Sequence, residues 1–175
     1  MSEQLLPGYI IRRGSALDRA LLLKFMQRTY QELFPNEDFS HLEQTVKQYF
    51  SNDTPLWWVD FLGEGVKEDE GASTLSPSSH SPTSPIACLW VGNAIDQVQG
   101  NRHAHIFILY VVPEHRRRGI GTALMRYVEK WAIQRGDRQI GLQVFQSNKP
   151  ALNLYNQLGY QTQSLWMVKF LSAEK

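Results

Sequence analysis

Hydrophobic and polar positions along this chain change period several times, and each change marks an element. Tyr9 to Arg13 is a short apolar-to-basic run that reads as a strand. Ser15 opens a capping box that Asp18 completes, and Leu17, Leu21 and Phe25 then recur at helical spacing, predicting a first helix to about Glu32. Leu33-Phe34-Pro35-Asn36 ends it. Ser40-His41-Leu42-Glu43 reads as a second capping box, and Leu42, Val46, Tyr49 and Phe50 form the apolar stripe of a second helix. Leu56 to Leu62, with two tryptophans, predicts a strand.

The pattern then breaks. Residues 68–85 are dominated by Glu, Asp, Ser, Thr, Pro and Gly, with Leu75 as the single large apolar residue, so this stretch reads as a mobile loop insertion. Its flanks, 57–62 and 86–92, are expected to pair as a hairpin; the alternative is a linker between two domains. Ala104 to Val112 is nearly all apolar and β-branched, as in a strand covered on both faces. Thr122 to Arg135 carries Leu124, Val128 and Trp131 on one helical face, with Gly136 beyond its end. Gln139 to Phe145 reads as a strand, Ala151 to Leu158 as a short helix ended by Gly159, and Ser164 to Leu171 as a last strand. This order, with one long strand-helix-strand crossover among antiparallel neighbours, predicts an α/β fold: a mixed sheet covered by helices.

Composition narrows the function classes. The 175 residues suit one domain, and apolar and charged fractions of 42% and 20% are those of an ordinary soluble globule. Lys plus Arg is 18 and Asp plus Glu is 17, so no general affinity for nucleic acid or membrane is expected. The single cysteine, Cys88, cannot form a disulfide within the chain; it reads as a buried inert thiol, with a catalytic nucleophile as the alternative. The residues from Met1 lack the plan of a signal peptide, and no apolar run is long enough to span a membrane, so a cytoplasmic location is expected.

Candidate chemistry concentrates after the strand ending in Leu109-Tyr110-Val111-Val112-Pro113. There Arg116-Arg117-Arg118-Gly119-Ile120-Gly121-Thr122 forms a basic, glycine-bearing turn into a helix. Free backbone N–H groups at such a turn make a seat for a phosphate-bearing ligand. Thr122 can cap the helix or bond a phosphate. A plain strand-to-helix turn with solvated arginines satisfies the same residues. The P-loop pattern is absent, and Leu124 stands where a dinucleotide fingerprint needs its third glycine.

These residues resemble the GNAT superfamily of N-acetyltransferases. Arg116-Arg117-Arg118-Gly119-Ile120-Gly121 fits its Arg/Gln-x-x-Gly-x-Gly/Ala motif, and Asn148-Lys149-Pro150-Ala151-Leu152-Asn153-Leu154-Tyr155-Asn156-Gln157-Leu158-Gly159-Tyr160 is similar to its Asn-x-x-Ala-x-x-Leu-Tyr-x-x-x-Gly-Phe/Tyr segment. The resemblance implies one N-acetyltransferase domain over 1–175, with a mixed, mostly antiparallel sheet of about six or seven strands flanked by about four helices. It implies acetyl-CoA as co-substrate, no metal, and an amine-bearing acceptor, small molecule or protein, attacking in a ternary complex. A homodimer is an open alternative.

The resemblance also implies roles. The cofactor would meet the backbone of Leu109, Tyr110 and Val111, the turn from Arg116 through Arg117, Arg118, Gly119, Ile120 and Gly121 to Thr122, and Asn148 and Tyr155. The Val111 N–H would polarise the acetyl carbonyl. Tyr155 would act as general acid toward the departing thiolate, although its position also suits a core aromatic. The general base departs from the family pattern: Gln143 and Phe107 stand where relatives carry Glu. His105 is the replacement base taken forward, with His103, Glu32, a water chain or a low-pKa amine as alternatives. Tyr30, Glu32 and Phe34, in the segment between the first two helices, are the candidate acceptor contacts, with an ordinary solvated loop as the alternative. Competing functions are a CoA-binding regulatory module without catalysis and transfer of a longer acyl group.

Overall fold

The computed structural model describes residues 1–63 and 84–172. The loop expected at 68–85 lies outside the described residues except for Ser84 and Pro85. The chain divides into two compact units, Met1–Gln143 and Val144–Lys175.

The first unit is a six-stranded sheet in sequential order, β1 (Ser2–Leu6), β2 (Tyr9–Arg13), β3 (Leu56–Phe61), β4 (Ala87–Ile95), β5 (Arg102–Val111) and β6 (Ile140–Leu142). All neighbours are antiparallel except β5 and β6, which run parallel. Their crossover is α3 (Ile120–Gln134); α1 (Arg19–Leu33) and α2 (Leu42–Tyr49) lie between β2 and β3. The expected pairing across the insertion is present, with Trp58 opposite Cys88 and Leu56 opposite Trp90. The adjacent tryptophans divide the sheet's faces, as strand alternation requires. Trp58 packs edge-on to Phe25 of α1 at 5.0 Å, whereas Trp57 meets Trp131 of α3 at 5.3 Å. One core therefore gathers Leu22, Phe25, Val46, Trp58, Trp90 and Ile108 under α1 and α2. On α3 the buried residues are Ile120, Leu124, Met125, Val128 and Ala132.

The second unit holds α4 (Lys149–Gln157), capped as expected by Asn148, whose side-chain oxygen accepts from the Ala151 N–H at 3.3 Å. The strand expected at Ser164 to Leu171 is absent: these residues carry no regular structure, and Trp166 and Phe170 are 80% and 90% exposed. An apolar run becomes a strand only where a sheet edge receives it. Two other expectations are corrected. β1 was unforeseen because Ser2-Glu3-Gln4 offers no apolar run; it forms as an edge strand turned back by Pro7-Gly8. The box at Ser40 does not form, because Asp38 accepts both the Ser40 N–H and its hydroxyl, and His41 sits at the helix start without a side-chain cap. The box at Ser15 and Asp18 forms as read.

β5 carries one irregularity that matters to the site. Trp90 faces Ile108 and Val91 faces Ile106, so Phe107 is the extra residue of a β-bulge. The bulge lets Phe107 and Ile108 both face α1 and α2, and Tyr110 follows on that face. Regular alternation would have put His105, Phe107 and Leu109 together. The bulge instead sends Leu109 to the other face, while His105 stays beside Phe107 at 5.8 Å. The Phe107 ring lies on Gly92, where an added Cβ would come within 2.2 Å of it, and it is backed by Trp90 at 4.7 Å. Gly92→Ala is therefore expected to destabilise the fold by ~2 kcal/mol through overpacking, read as a lowered midpoint of chemical denaturation.

Candidate functional site

The site grows from the way β5 ends. Pairing with β6 runs only over Ala104–Ile106 with Ile140–Leu142, so beyond the bulge the outer edge of β5 has no strand partner among the described residues. The Val112 N–H donates to the Ile86 carbonyl on the β4 side at 2.9 Å. Alternation then turns the backbone groups of Leu109 and Val111 to the open edge. Tyr110 is placed differently: its backbone faces β4, and its hydroxyl donates to Glu32 Oε1 of α1 at 2.5 Å. Burial, followed by that bond, pushes the Tyr110 phenol up to about 12. Of the three β5 residues expected at a cofactor, Leu109 and Val111 present their backbone to the open edge and Tyr110 does not.

Pro113–His115 make one turn of 3-10 helix, and the basic stretch follows. Arg117 at φ 61° and Gly119 at φ 81° are both left-handed, and α3 opens at Ile120 with Gly119 as its N-cap and no side-chain cap. Left-handed turns of this kind swing successive N–H groups toward one side, and the helix N-terminus adds its own unpaired donors. Ile120, Gly121 and Thr122 form the first turn of α3, so Thr122 is inside the helix and does not cap it.

The three arginines take three directions. Arg116 turns inward: its Nε donates to the Val111 carbonyl at 2.8 Å and its guanidinium pairs with Glu32 Oε2 at 2.6 Å. Arg118 reaches the Tyr9 hydroxyl of β2 at 3.3 Å. The Arg117 side chain has no partner among the described residues. Charge on the turn is thus partly committed to holding it and partly left for an anion.

Glu32 sits at a cleft of about 350 Å³, lined also by Arg28, Tyr110, Val112 and Glu114. Both of its oxygens are engaged, by the Tyr110 hydroxyl and the Arg116 guanidinium. Tyr30 and Phe34, expected beside it at an acceptor, pack against the α1–α2 core, with the Tyr30 ring 5.6 Å from Phe39. His105 stands elsewhere, at the β6 end of β5. A Cβ on Gly141 would lie 3.3 Å from His103 Nε2 and 3.5 Å from His105 Nδ1, so both imidazoles flank that glycine. Burial, and then the neighbouring His103, lowers the His105 pKa from its usual 6.5. His103 also meets Gln139 at 3.3 Å. Six residues of strand separate His105 from Val111, roughly 20 Å at the usual rise.

Cys88 is fully buried and its thiol is pushed well above the ordinary range by desolvation, which closes the nucleophile reading. In the second unit, Tyr155 lies on α4 with its ring 5.8 Å from Tyr160. Desolvation pushes its phenol up to about 12. Among the described residues no cluster could hold a metal ion, and no helix is long and apolar enough to cross a membrane. Sequence reading missed the Glu32–Tyr110–Arg116 and Tyr9–His115–Arg118 clusters, whose hydrogen bonds join residues 78 to 109 positions apart that share no local pattern.

The model of the acetyltransferase (GNAT) family matches residues 22–160. An uncharacterised N-acetyltransferase of Methanocaldococcus jannaschii is 32% identical over 107 residues, 60% of this chain and 44% of its own length. A mouse thialysine N-epsilon-acetyltransferase is 40% identical over 60 residues, 34% of this chain and 35% of its own length. The chain thus matches less than half the length of these curated relatives. A predicted acetyltransferase from Clostridium acetobutylicum, solved with acetyl-CoA, shares the fold with a TM-score of 0.67 at 16% identity, covering 93% of this chain and 96% of that one.

Proposed function

The chain belongs to the acetyltransferase (GNAT) family, and from that premise we propose that it transfers the acetyl group of acetyl-CoA to a primary amine of a small molecule or protein. The observation that carries this reading is the open edge of β5 running into a left-handed turn at the N-terminus of α3. An extended amide chain matches a free strand edge, and a pyrophosphate matches a row of converging N–H groups. The uncommitted Arg117 adds charge at the same turn. These residues fit the cofactor that the family implies.

Acetyl-CoA supplies the activated acyl carbonyl. The N–H groups from Arg117 to Thr122 hold the pyrophosphate, and Leu109 and Val111 orient the arm. The Val111 N–H donates to the acetyl oxygen as charge develops there, a contact worth ~3 kcal/mol in comparable sites. Arg116 serves this indirectly, by holding the Val111 carbonyl and thus the strand end. The family pattern assigns Tyr155 the proton for the departing thiolate and Asn148 a cofactor contact, beside the cap that Asn148 makes on α4. His105, neutral at pH 7, receives the proton of the incoming ammonium, and the separation from Val111 makes that transfer pass through water.

Glu32 forms the acceptor side at its cleft, where acidic charge favours a cationic amine, while Tyr30 and Phe34 are packed against the α1–α2 core. Because Glu32 also anchors Arg116, reversing its charge would disturb both substrates at once. Glu37 lacks that anchoring contact. Glu37→Lys is therefore expected to raise the KM of a cationic acceptor ~5-fold while leaving the acetyl-CoA KM unchanged in initial-rate measurements.

A CoA-binding regulatory module is the second reading, favoured by Gln143 and Phe107 at the family's usual carboxylate positions and by the engagement of both Glu32 oxygens. One assay separates the two: release of CoA thiol from acetyl-CoA across small amines, polyamines, aminoglycosides and peptides. Turnover with any of them supports the transferase. Tight acetyl-CoA binding with no turnover across the whole panel selects the module.

A further inference from the structure

The family pattern describes the turn itself; the structure adds what holds it from behind. The β1–β2 turn lies against it. Leu6 is the nearest neighbour of a Cβ built on Gly119, at 4.0 Å. From β2, the buried Tyr9 places its hydroxyl 2.9 Å from His115 Nδ1 and 3.3 Å from Arg118. The Tyr9 ring is seated by Phe61 at 5.0 Å and by the edge of His115 at 5.7 Å. Phe61 also covers His115 at 4.9 Å.

The direction of the hydrogen bonds follows from chemistry. An arginine only donates, so Arg118 donates to the Tyr9 oxygen, and the phenol proton is free to point at His115. With that proton directed at it, Nδ1 accepts in the neutral imidazole tautomer that carries its own proton on Nε2. Burial and the facing Arg118 lower the His115 pKa against the opposing pull of Glu114, in agreement with that state. Arg118, Tyr9 and His115 thus form a directed chain that bridges both sides of the turn.

We propose that Tyr9 is a positioning residue for the phosphate-binding turn: its hydroxyl fixes Arg118 and His115 in place and so presets the turn for CoA. The inference rests on the proposed function and deepens it. The turn's left-handed Arg117 lies between the two residues that Tyr9 holds, and the left-handed Gly119 directly follows the second of them. Releasing the hydroxyl frees both ends of that strained segment, and ordering them again must be met from the binding energy of CoA.

The test is calorimetric titration of the full chain with CoA, backed by initial rates. Tyr9→Phe keeps the ring and removes the hydroxyl. It is expected to weaken CoA ~10-fold, to raise the acetyl-CoA KM by the same factor, and to leave kcat at saturating acetyl-CoA within ~2-fold. Arg118→Ala and the Tyr9→Phe/Arg118→Ala double variant complete a cycle. If Tyr9 acts through Arg118 and His115, the double variant loses less CoA affinity than the product of the two single losses. His115→Asn, which keeps an acceptor near the Nδ1 position, is expected to retain affinity, whereas His115→Leu loses ~10-fold. These His115 variants decide the matter even where Tyr9→Phe folds poorly. Unchanged CoA affinity in Tyr9→Phe and His115→Leu, or losses that multiply independently in the cycle, overturns the positioning role while wild-type CoA binding keeps the transferase reading intact. Wild-type protein that does not bind CoA overturns both.

Discussion

Tyr155→Phe is expected to lower kcat ~100-fold while changing acetyl-CoA affinity by less than ~3-fold. Phenylalanine preserves the ring and its packing beside Tyr160 at 5.8 Å, so the hydroxyl alone is tested. The expectation follows from what a departing thiolate needs. A free thiol titrates near ~8.5, whereas burial pushes the Tyr155 phenol up to about 12. The thiolate is therefore a far weaker base than the phenolate, and full proton transfer from Tyr155 at rest is uphill. The hydroxyl contributes only if its proton moves as the carbon–sulfur bond breaks, which is stabilisation confined to the transition state. Such an interaction appears in kcat and not in ground-state affinity. The sign of the pH dependence is also set. A raised pKa keeps the acid protonated on the alkaline side, so no alkaline loss of wild-type rate below about pH 11 can come from this group. The Phe variant should thus show the same pH profile as wild type over the neutral and mildly alkaline range, displaced downward. A variant with wild-type kcat would remove Tyr155 from the chemistry and return it to the role of a packed aromatic.

How much of this was legible before the structure depends on how local each cause is. β3, β4, β5 and α3 were read because their own residues state both period and length, from the paired tryptophans to the Leu124–Val128 stripe. The glycine turn was read because its chemistry sits in seven consecutive residues. The Asn148 cap was read for the same reason. Features that depend on a partner were not. The Phe107 bulge exists because β4 offers Gly92 as a bed for the ring, and nothing in β5 alone announces it. The commitment of Arg116 to Glu32, and of Arg118 to Tyr9, joins residues 84 and 109 positions apart. Ser164 to Leu171 failed in the opposite sense: its apolar, aromatic-bearing run is strand-like, but pairing belongs to the sheet and not to the segment. The proposed donor side was legible because a site of that kind is built from backbone and glycine. The acceptor side was not, because it is built from side chains that distant elements bring together.

His105→Gln is expected to lower kcat/KM ~30-fold at pH 7 and to abolish the acid limb of its pH profile. Glutamine keeps a polar side chain of similar reach beside Gly141 but cannot take up a proton. The neutral imidazole is the active form of a base. Its pKa is lowered from 6.5, first by burial and then by His103, so the neutral form persists to lower pH than for an exposed histidine. The wild-type acid limb should accordingly fall below pH 6.5, with activity full above it and lost as pH drops through the lowered value. Elimination supports the same choice. Gln143 and Phe107 cannot act, and Glu32 accepts from Tyr110 at 2.5 Å and from Arg116 at 2.6 Å. The roughly 20 Å of strand between His105 and Val111 forbids direct contact with an amine at the acetyl group, so the proton must travel along water. That route predicts a smaller loss than deletion of a base in direct contact, and it predicts that His103→Gln, two residues farther from Val111 on the same face, costs less than His105→Gln. A variant that keeps both rate and acid limb would place deprotonation outside the protein, in an acceptor whose amine is already neutral at the working pH.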